Sequence, residues 1–147
     1  MNIYIRKSGF TIVELLVVIA VIGILASITI ANYTGVQNKA RTASALTNAQ
    51  EVQSKAEVYA SDMGNGTFPT NGTAFKNITA AEAVALSPEV KAQLGTTVPS
   101  AAAPTALIYQ LCTAAGARVG YWDSTNKAVV YLYIGAATSS TTCSAAA

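Results

Sequence analysis

The sequence predicts an α+β fold: a long N-terminal helix, membrane-spanning in its first half, packed against a small antiparallel β-sheet head. Three observations carry this. Residues 10–30 are a near-continuous apolar run interrupted by one carboxylate, Glu14. From Val36 onward small and apolar residues recur at spacings of three and four. Residues 106–134 hold three short segments rich in β-branched and aromatic side chains, separated by turn signals.

The first segment, residues 1–9, is short and carries Arg6 and Lys7 ahead of the apolar run. It reads as a processing segment and is set aside from the fold. The small residue of an ordinary secretory cleavage site follows its hydrophobic run, whereas here Gly9 precedes it. About 20 apolar residues form a helix long enough to cross the hydrocarbon core of a bilayer, and no later segment approaches that length. Basic residues stay on the cytoplasmic side of a span. Arg6 and Lys7 therefore place the N-terminus inside and the C-terminal domain outside, with Lys39 and Arg41 a weak opposing bias.

A carboxylate in lipid is expensive unless it finds a counter-charge or is neutralised, and intramembrane acids are commonly functional. A chain cut after Gly9 would gain an α-amine at Phe10, four residues before Glu14. Pairing within one chain, pairing between neighbours and protonation of the acid are the available solutions.

The residues that pose this problem also carry a resemblance. Gly9-Phe10-Thr11-Ile12-Val13-Glu14-Leu15 resembles the signal of type IV prepilins and of the related type II secretion pseudopilins. The likeness covers roughly residues 7–33, a fifth of the chain. It implies a pilin-like fold, cleavage by a prepilin peptidase between Gly9 and Phe10, and N-methylation of Phe10. It implies also that Glu14 of an incoming subunit meets the Phe10 amine of the one before, setting register in a helical homopolymer. Leu15, Val18, Ile22 and Leu25 are then the expected packing residues of the filament core. An assembly platform in the inner membrane, with its cytoplasmic ATPase, would extract the subunit from lipid into an extracellular pilus serving motility, adhesion or DNA uptake. Many members of the family carry proline where this chain has Ala31, which bears on whether the core helix melts on assembly.

Residues 31–62 continue the helix. Val36, Ala40, Ala43, Ala45, Ala49, Val52, Ala56 and Tyr59 form one stripe, with Gln37, Lys39, Arg41, Asn48, Gln50, Glu51 and Lys55 on other faces. The helix is expected to end near Ser61, before Gly64-Asn65-Gly66.

The head spans residues 63–147. Its first part, 63–105, opens with a loop over 63–76, punctuated by Gly64, Gly66, Pro69 and Gly72. Asn65-Gly66-Thr67, Asn71-Gly72-Thr73 and Asn77-Ile78-Thr79 match the N-glycan acceptor pattern, and in a threonine-rich chain they read first as turn chemistry. Thr79-Ala80-Ala81-Glu82 predicts a capping box opening a short helix through Leu86. Ser87-Pro88-Glu89 caps another short turn ending at Leu94-Gly95, and 96–104 is a connector. Strands follow at 106–112, 117–122 and 128–134, making a meander of three or four antiparallel strands laid on the helix. The aromatic residues there read as core and cross-strand pairs before they read as an adhesive surface.

Residues 135–147 form a polar tail. Cys112 and Cys143 are the two cysteines, and in an exported domain they favour a disulfide over two independent buried thiols. Such a bridge would close a loop of about thirty residues, worth about 3–4 kcal/mol, and pin the tail to the first strand.

Enzyme classes find little support. The 147-residue chain has no histidine, and its seven acids are scattered. Two distant cysteines do not make a zinc site, so no metal or cofactor is expected. A calcium site near the C-terminus would need clustered carboxylates, yet Asp123 is the sole acid after Glu89. Without Arg6 and Lys7 the charged side chains balance, and no basic stripe suggests a nucleic-acid site. The reading is therefore a pilin. A secretion or competence pseudopilin is the alternative, and a monomeric single-span surface binding protein, unprocessed at its N-terminus, is the remote one.

Overall fold

A computed structural model describes residues 9–78, 84–113 and 116–143. The leader residues before Gly9 and the expected capping box at Thr79 and Glu82 lie outside the described residues. The chain divides into two compact units, Met1–Gln37 and Asn38–Ala147.

Helix α1 (Ile12–Asp62) runs through both units without interruption at Ala31. No proline removes a backbone donor along it, so its hydrogen-bond ladder has nothing to break it. In the second unit α1 buries Ala45, Ala49, Val52, Ala56 and Ala60. Their spacing of three and four makes one stripe, and their small size lets the sheet approach the helix closely. The expected stripe began earlier, at Val36. Val36, Ala40 and Ala43 are instead exposed.

The head adds α2 (Gly72–Lys76), α3 (Pro88–Gln93) and four strands: β1 (Leu94–Gly95), β2 (Leu107–Thr113), β3 (Gly116–Asp123) and β4 (Ala128–Gly135). Sheet order follows chain order. Pairing is antiparallel from β2 to β4 but parallel between β1 and β2, with Leu94 opposite Leu107 and Gly95 opposite Ile108. The sheet is thus mixed, correcting the all-antiparallel expectation. The connector between β1 and β2 is long enough to bring the chain back in the same direction, which a hairpin cannot do.

Leu107, Tyr109, Ala117, Val119, Tyr121 and Ile134 pack with the alanine stripe of α1. Their alternation along the strands places them on one face. The other face carries Gln110, Arg118 and Tyr131. The Arg118 guanidinium lies 4.2 Å from the centre of the Tyr131 ring, and its Nε donates to Gln110 Oε1 at 2.8 Å. The aromatic residues divide accordingly: Tyr109 and Tyr121 are core, while Trp122, Tyr131 and Tyr133 are half-buried.

Helix α2 interrupts what reads as a loop. Asn71 Oδ1 accepts from the Ala74 N–H at 2.7 Å, and Phe75 is buried with its ring 5.4 Å from that of Tyr109. One apolar anchor and one cap suffice to hold a single turn. Asn65 adopts a left-handed φ of 47° and Asn77 caps the end of α2, so these asparagines do serve turns. Val84 lies in a turn and residues 85–87 are irregular, so the helix expected to reach Leu86 does not. Ser87 caps α3 as expected, its hydroxyl accepting from the Val90 N–H. Its own N–H and hydroxyl donate to the Glu51 carboxylate at 2.6 and 3.0 Å, fastening α3 to α1.

A second fastening joins the β3–β4 turn to α1. Asp123, 7% exposed, accepts from the Thr42 hydroxyl, the Thr125 and Asn126 N–H groups and Asn126 Nδ2 at 2.7 to 3.1 Å. Thr42 Oγ1 in turn accepts from the Ser124 N–H at 3.0 Å. The Asn126 backbone N–H leads these donors in holding the Asp123 carboxyl below the usual carboxylate range. Cys112 and Cys143 form a disulfide, tying the tail to β2.

Candidate functional site

The candidate site is the start of α1 and the apolar surface behind it. Thr11 precedes the first helical residue. Its hydroxyl accepts from the Glu14 N–H at 3.2 Å, while Glu14 Oε2 accepts from the Thr11 N–H at 2.9 Å and the Thr11 hydroxyl at 2.8 Å. This is a capping box, in which two orphan donors of the helix end are satisfied reciprocally. The carboxylate also sits at the positive end of the helix dipole. Read by charge alone, Glu14 is an acid awaiting a partner, and Thr11 carries no signal. The Thr-x-x-Glu spacing ahead of an apolar run was the available signal.

Gly9 and Phe10 precede the helix and are exposed, Phe10 at 85%. Among the described residues nothing lies within 4 Å of a Cβ placed on Gly9, so packing against them does not require glycine there.

Behind the cap the helix is apolar all round. Leu15, Val18, Ile22 and Leu25 recur at three, four and three residues, and each is between 49% and 60% exposed. They share one helix face, and the described residues cover neither that face nor the others. An apolar helix that its own fold leaves uncovered is matched to lipid or to other helices. The polar side chains further along are satisfied internally: Ser27 Oγ donates to the Ile24 carbonyl at 2.7 Å and Thr29 Oγ1 to the Leu25 carbonyl at 2.8 Å. That is the condition a helix must meet in hydrocarbon. By length and hydropathy α1 holds one segment suited to a single-pass anchor. Among the described residues no three His, Cys, Asp or Glu side chains converge as a metal site would require.

A long helix, uncovered and apolar at its start, with a four-stranded mixed sheet on its second half, is a pilin-like α+β fold. Residues 5–30 match the family described as the prokaryotic N-terminal methylation motif. The chain is 37% identical over 65 residues to the type II secretion system core protein G of Aeromonas hydrophila, covering 44% of each chain. It is 37% identical over 57 residues to the type IV major pilin protein PilA of Myxococcus xanthus, covering 39% of this chain and 26% of the relative. The fimbrial protein of Neisseria meningitidis is 33% identical over 67 residues, covering 46% and 38%. The chain thus matches less than half the length of these relatives. No solved structure matches it significantly.

Proposed function

We propose that this chain is a structural, non-catalytic subunit of a helical filament, held in the membrane by α1 until assembly. The uncovered apolar surface over residues 10–30 is the observation that carries the reading. Polymerisation exchanges lipid for neighbouring helices around Leu15, Val18, Ile22 and Leu25 without asking the head to refold. A prepilin peptidase would cut between Gly9 and Phe10 and methylate the new Phe10 amine. Gly9 answers to the enzyme's cleft, consistent with the open space around it.

The capping box refines the role of Glu14. In the unassembled subunit Thr11 holds one oxygen of the carboxylate at the helix end, which leaves the other to accept the Phe10 amine of a neighbour. Register then depends on a carboxylate already oriented by its own helix. Glu14→Ala should leave membrane insertion and cleavage intact while depleting filaments sheared from cells. Wild-type filament yield from that variant would overturn the register role.

The tail pinned by the Cys112–Cys143 bridge fits a pilus exposed outside the cell, displayed for motility, adhesion or DNA uptake. Relatives named type II secretion system core protein G give the pseudopilus reading at least equal support. Electron microscopy of sheared surface material separates long pili from a short pseudopilus. Either product requires the N-terminus on the cytoplasmic side, the head outside, and an assembly platform in the inner membrane to drive extraction.

A further inference from the structure

Among the described residues of the second unit, the side chains of Lys39, Arg41, Lys76, Lys91 and Lys127 have no hydrogen-bond or ion-pair partner, and two of these cations meet in one groove. Arg41 and Lys127 line a groove of about 380 Å³ with Trp122, Ser124, Asn38 and Pro104. Both cations are exposed, and neither has a hydrogen-bond or ion-pair partner among the described residues. No acid lines the groove. The nearest in sequence, Asp123, turns its carboxylate to Thr42 and the turn amides.

The complementary charges sit further along α1. Glu57 is exposed and has no partner among the described residues. Among the described residues Asp62, the last of the helix, accepts only from the neighbouring Ser61 hydroxyl, at 3.2 Å. The last turn of α1 contains no base, so Asp62 stands unrelieved at the negative end of the helix dipole. A cation from outside the chain would correct this. Sixteen residues of helix put Glu57 about 24 Å from Arg41 along the axis, so the two sets cannot meet within one chain.

We propose that the Arg41–Lys127 groove receives the Glu57–Asp62 end of α1 from a second copy of this chain. Basic groove and acidic helix end are different patches, so each copy offers both and the contact repeats head to tail. A heterologous contact that does not close on itself generates an open helical assembly, as the filament reading requires. The contact rests on that reading and adds a second register point, in the head, to the one at Glu14. Trp122 and Pro104 give the groove an apolar wall beside the two cations.

Zero-length carbodiimide coupling of sheared filaments of the full-length protein tests this directly. Activation of a carboxylate and attack by the Lys127 amine yields an amide only where the two groups touch. The expected product is a dimer whose bridged peptides join Lys127 to Glu57 or Asp62. At a span of about 24 Å such a bridge cannot form within one chain. Filaments whose dimers contain no bridge from Lys127 to Glu57 or Asp62 overturn the contact while leaving the filament reading standing, since a Glu14–Phe10 bridge belongs to that reading alone. Absence of filaments from the wild type overturns both. Lys127→Glu should lower filament yield about five- to tenfold, and Lys127→Glu with Glu57→Lys should restore it to within about twofold. Failure of the charge swap to restore yield counts against the pair.

Discussion

Removing the Asp123 carboxylate should loosen the β3–β4 turn from α1, and the geometry sets the size of the effect. Asp123 accepts four hydrogen bonds, three of them from Thr125 and Asn126 in its own turn. Those two residues are exposed, so water replaces most of what their donors lose. The bond from the Thr42 hydroxyl and the reciprocal one from the Ser124 N–H are partly buried and join turn to helix. With hydrogen bonds to charged groups worth about 1.5–3 kcal/mol and the exposed ones discounted, Asp123→Ala should destabilise by about 2–3 kcal/mol. Thr42→Val, which keeps the shape and removes the hydroxyl, should cost about 1–2 kcal/mol. The two changes share partners, so they should couple by about 1 kcal/mol in a double-mutant cycle. Urea unfolding of the full chain in detergent, followed by fluorescence, reads this well, because Trp122 is the only tryptophan and adjoins Asp123. Strict additivity, or a midpoint for Asp123→Ala within error of the wild type, would refute the fastening.

The same carboxylate gives a pH dependence. Its folded-state pKa is depressed, so its contribution is complete above the ordinary aspartate range and is lost as pH falls through the lowered folded value; Asp123→Asn should flatten the acid limb of stability, as acid titration of the fluorescence midpoint will show. The Tyr109 hydroxyl is buried with no partner among the described residues, and burial pushes its pKa up, so Tyr109→Phe should be neutral or stabilising by up to about 1 kcal/mol in urea unfolding. Replacing Cys112 and Cys143 together by serine opens a loop with a sequence separation of 31. Thermal unfolding of that variant should register a loss of about 3–4 kcal/mol, and an unchanged midpoint would deny the bridge a stabilising role.

Residues with strong local patterns were legible before the structure. The apolar run to Ile30, the alanine spacing from Ala45 to Ala60, the Ser87-Pro88 cap and the β-branched run at 128–134 each encode their element in a window of a few residues. What was not legible depends on distant partners. β1 is two residues long, and only pairing with Leu107 and Ile108 makes it a strand. Helix α2 exists because Phe75 finds Tyr109 across the fold. The fastenings of Thr42 to Asp123 and Glu51 to Ser87 join residues 81 and 36 positions apart. Val36 has the spacing of a buried residue yet is exposed, because spacing alone supplies no partner surface. At the candidate site the miss was of another kind: Thr11 and Glu14 lie in one window, and attention to the charge hid the cap.

On the proposed reading, removal of the segment before Phe10 frees the uncovered start of α1 for assembly. Intact mass of the protein extracted from membranes and from sheared filaments measures this directly. A species beginning at a singly methylated Phe10 in both fractions is the expected result; filament protein still carrying residues 1–9 would contradict it.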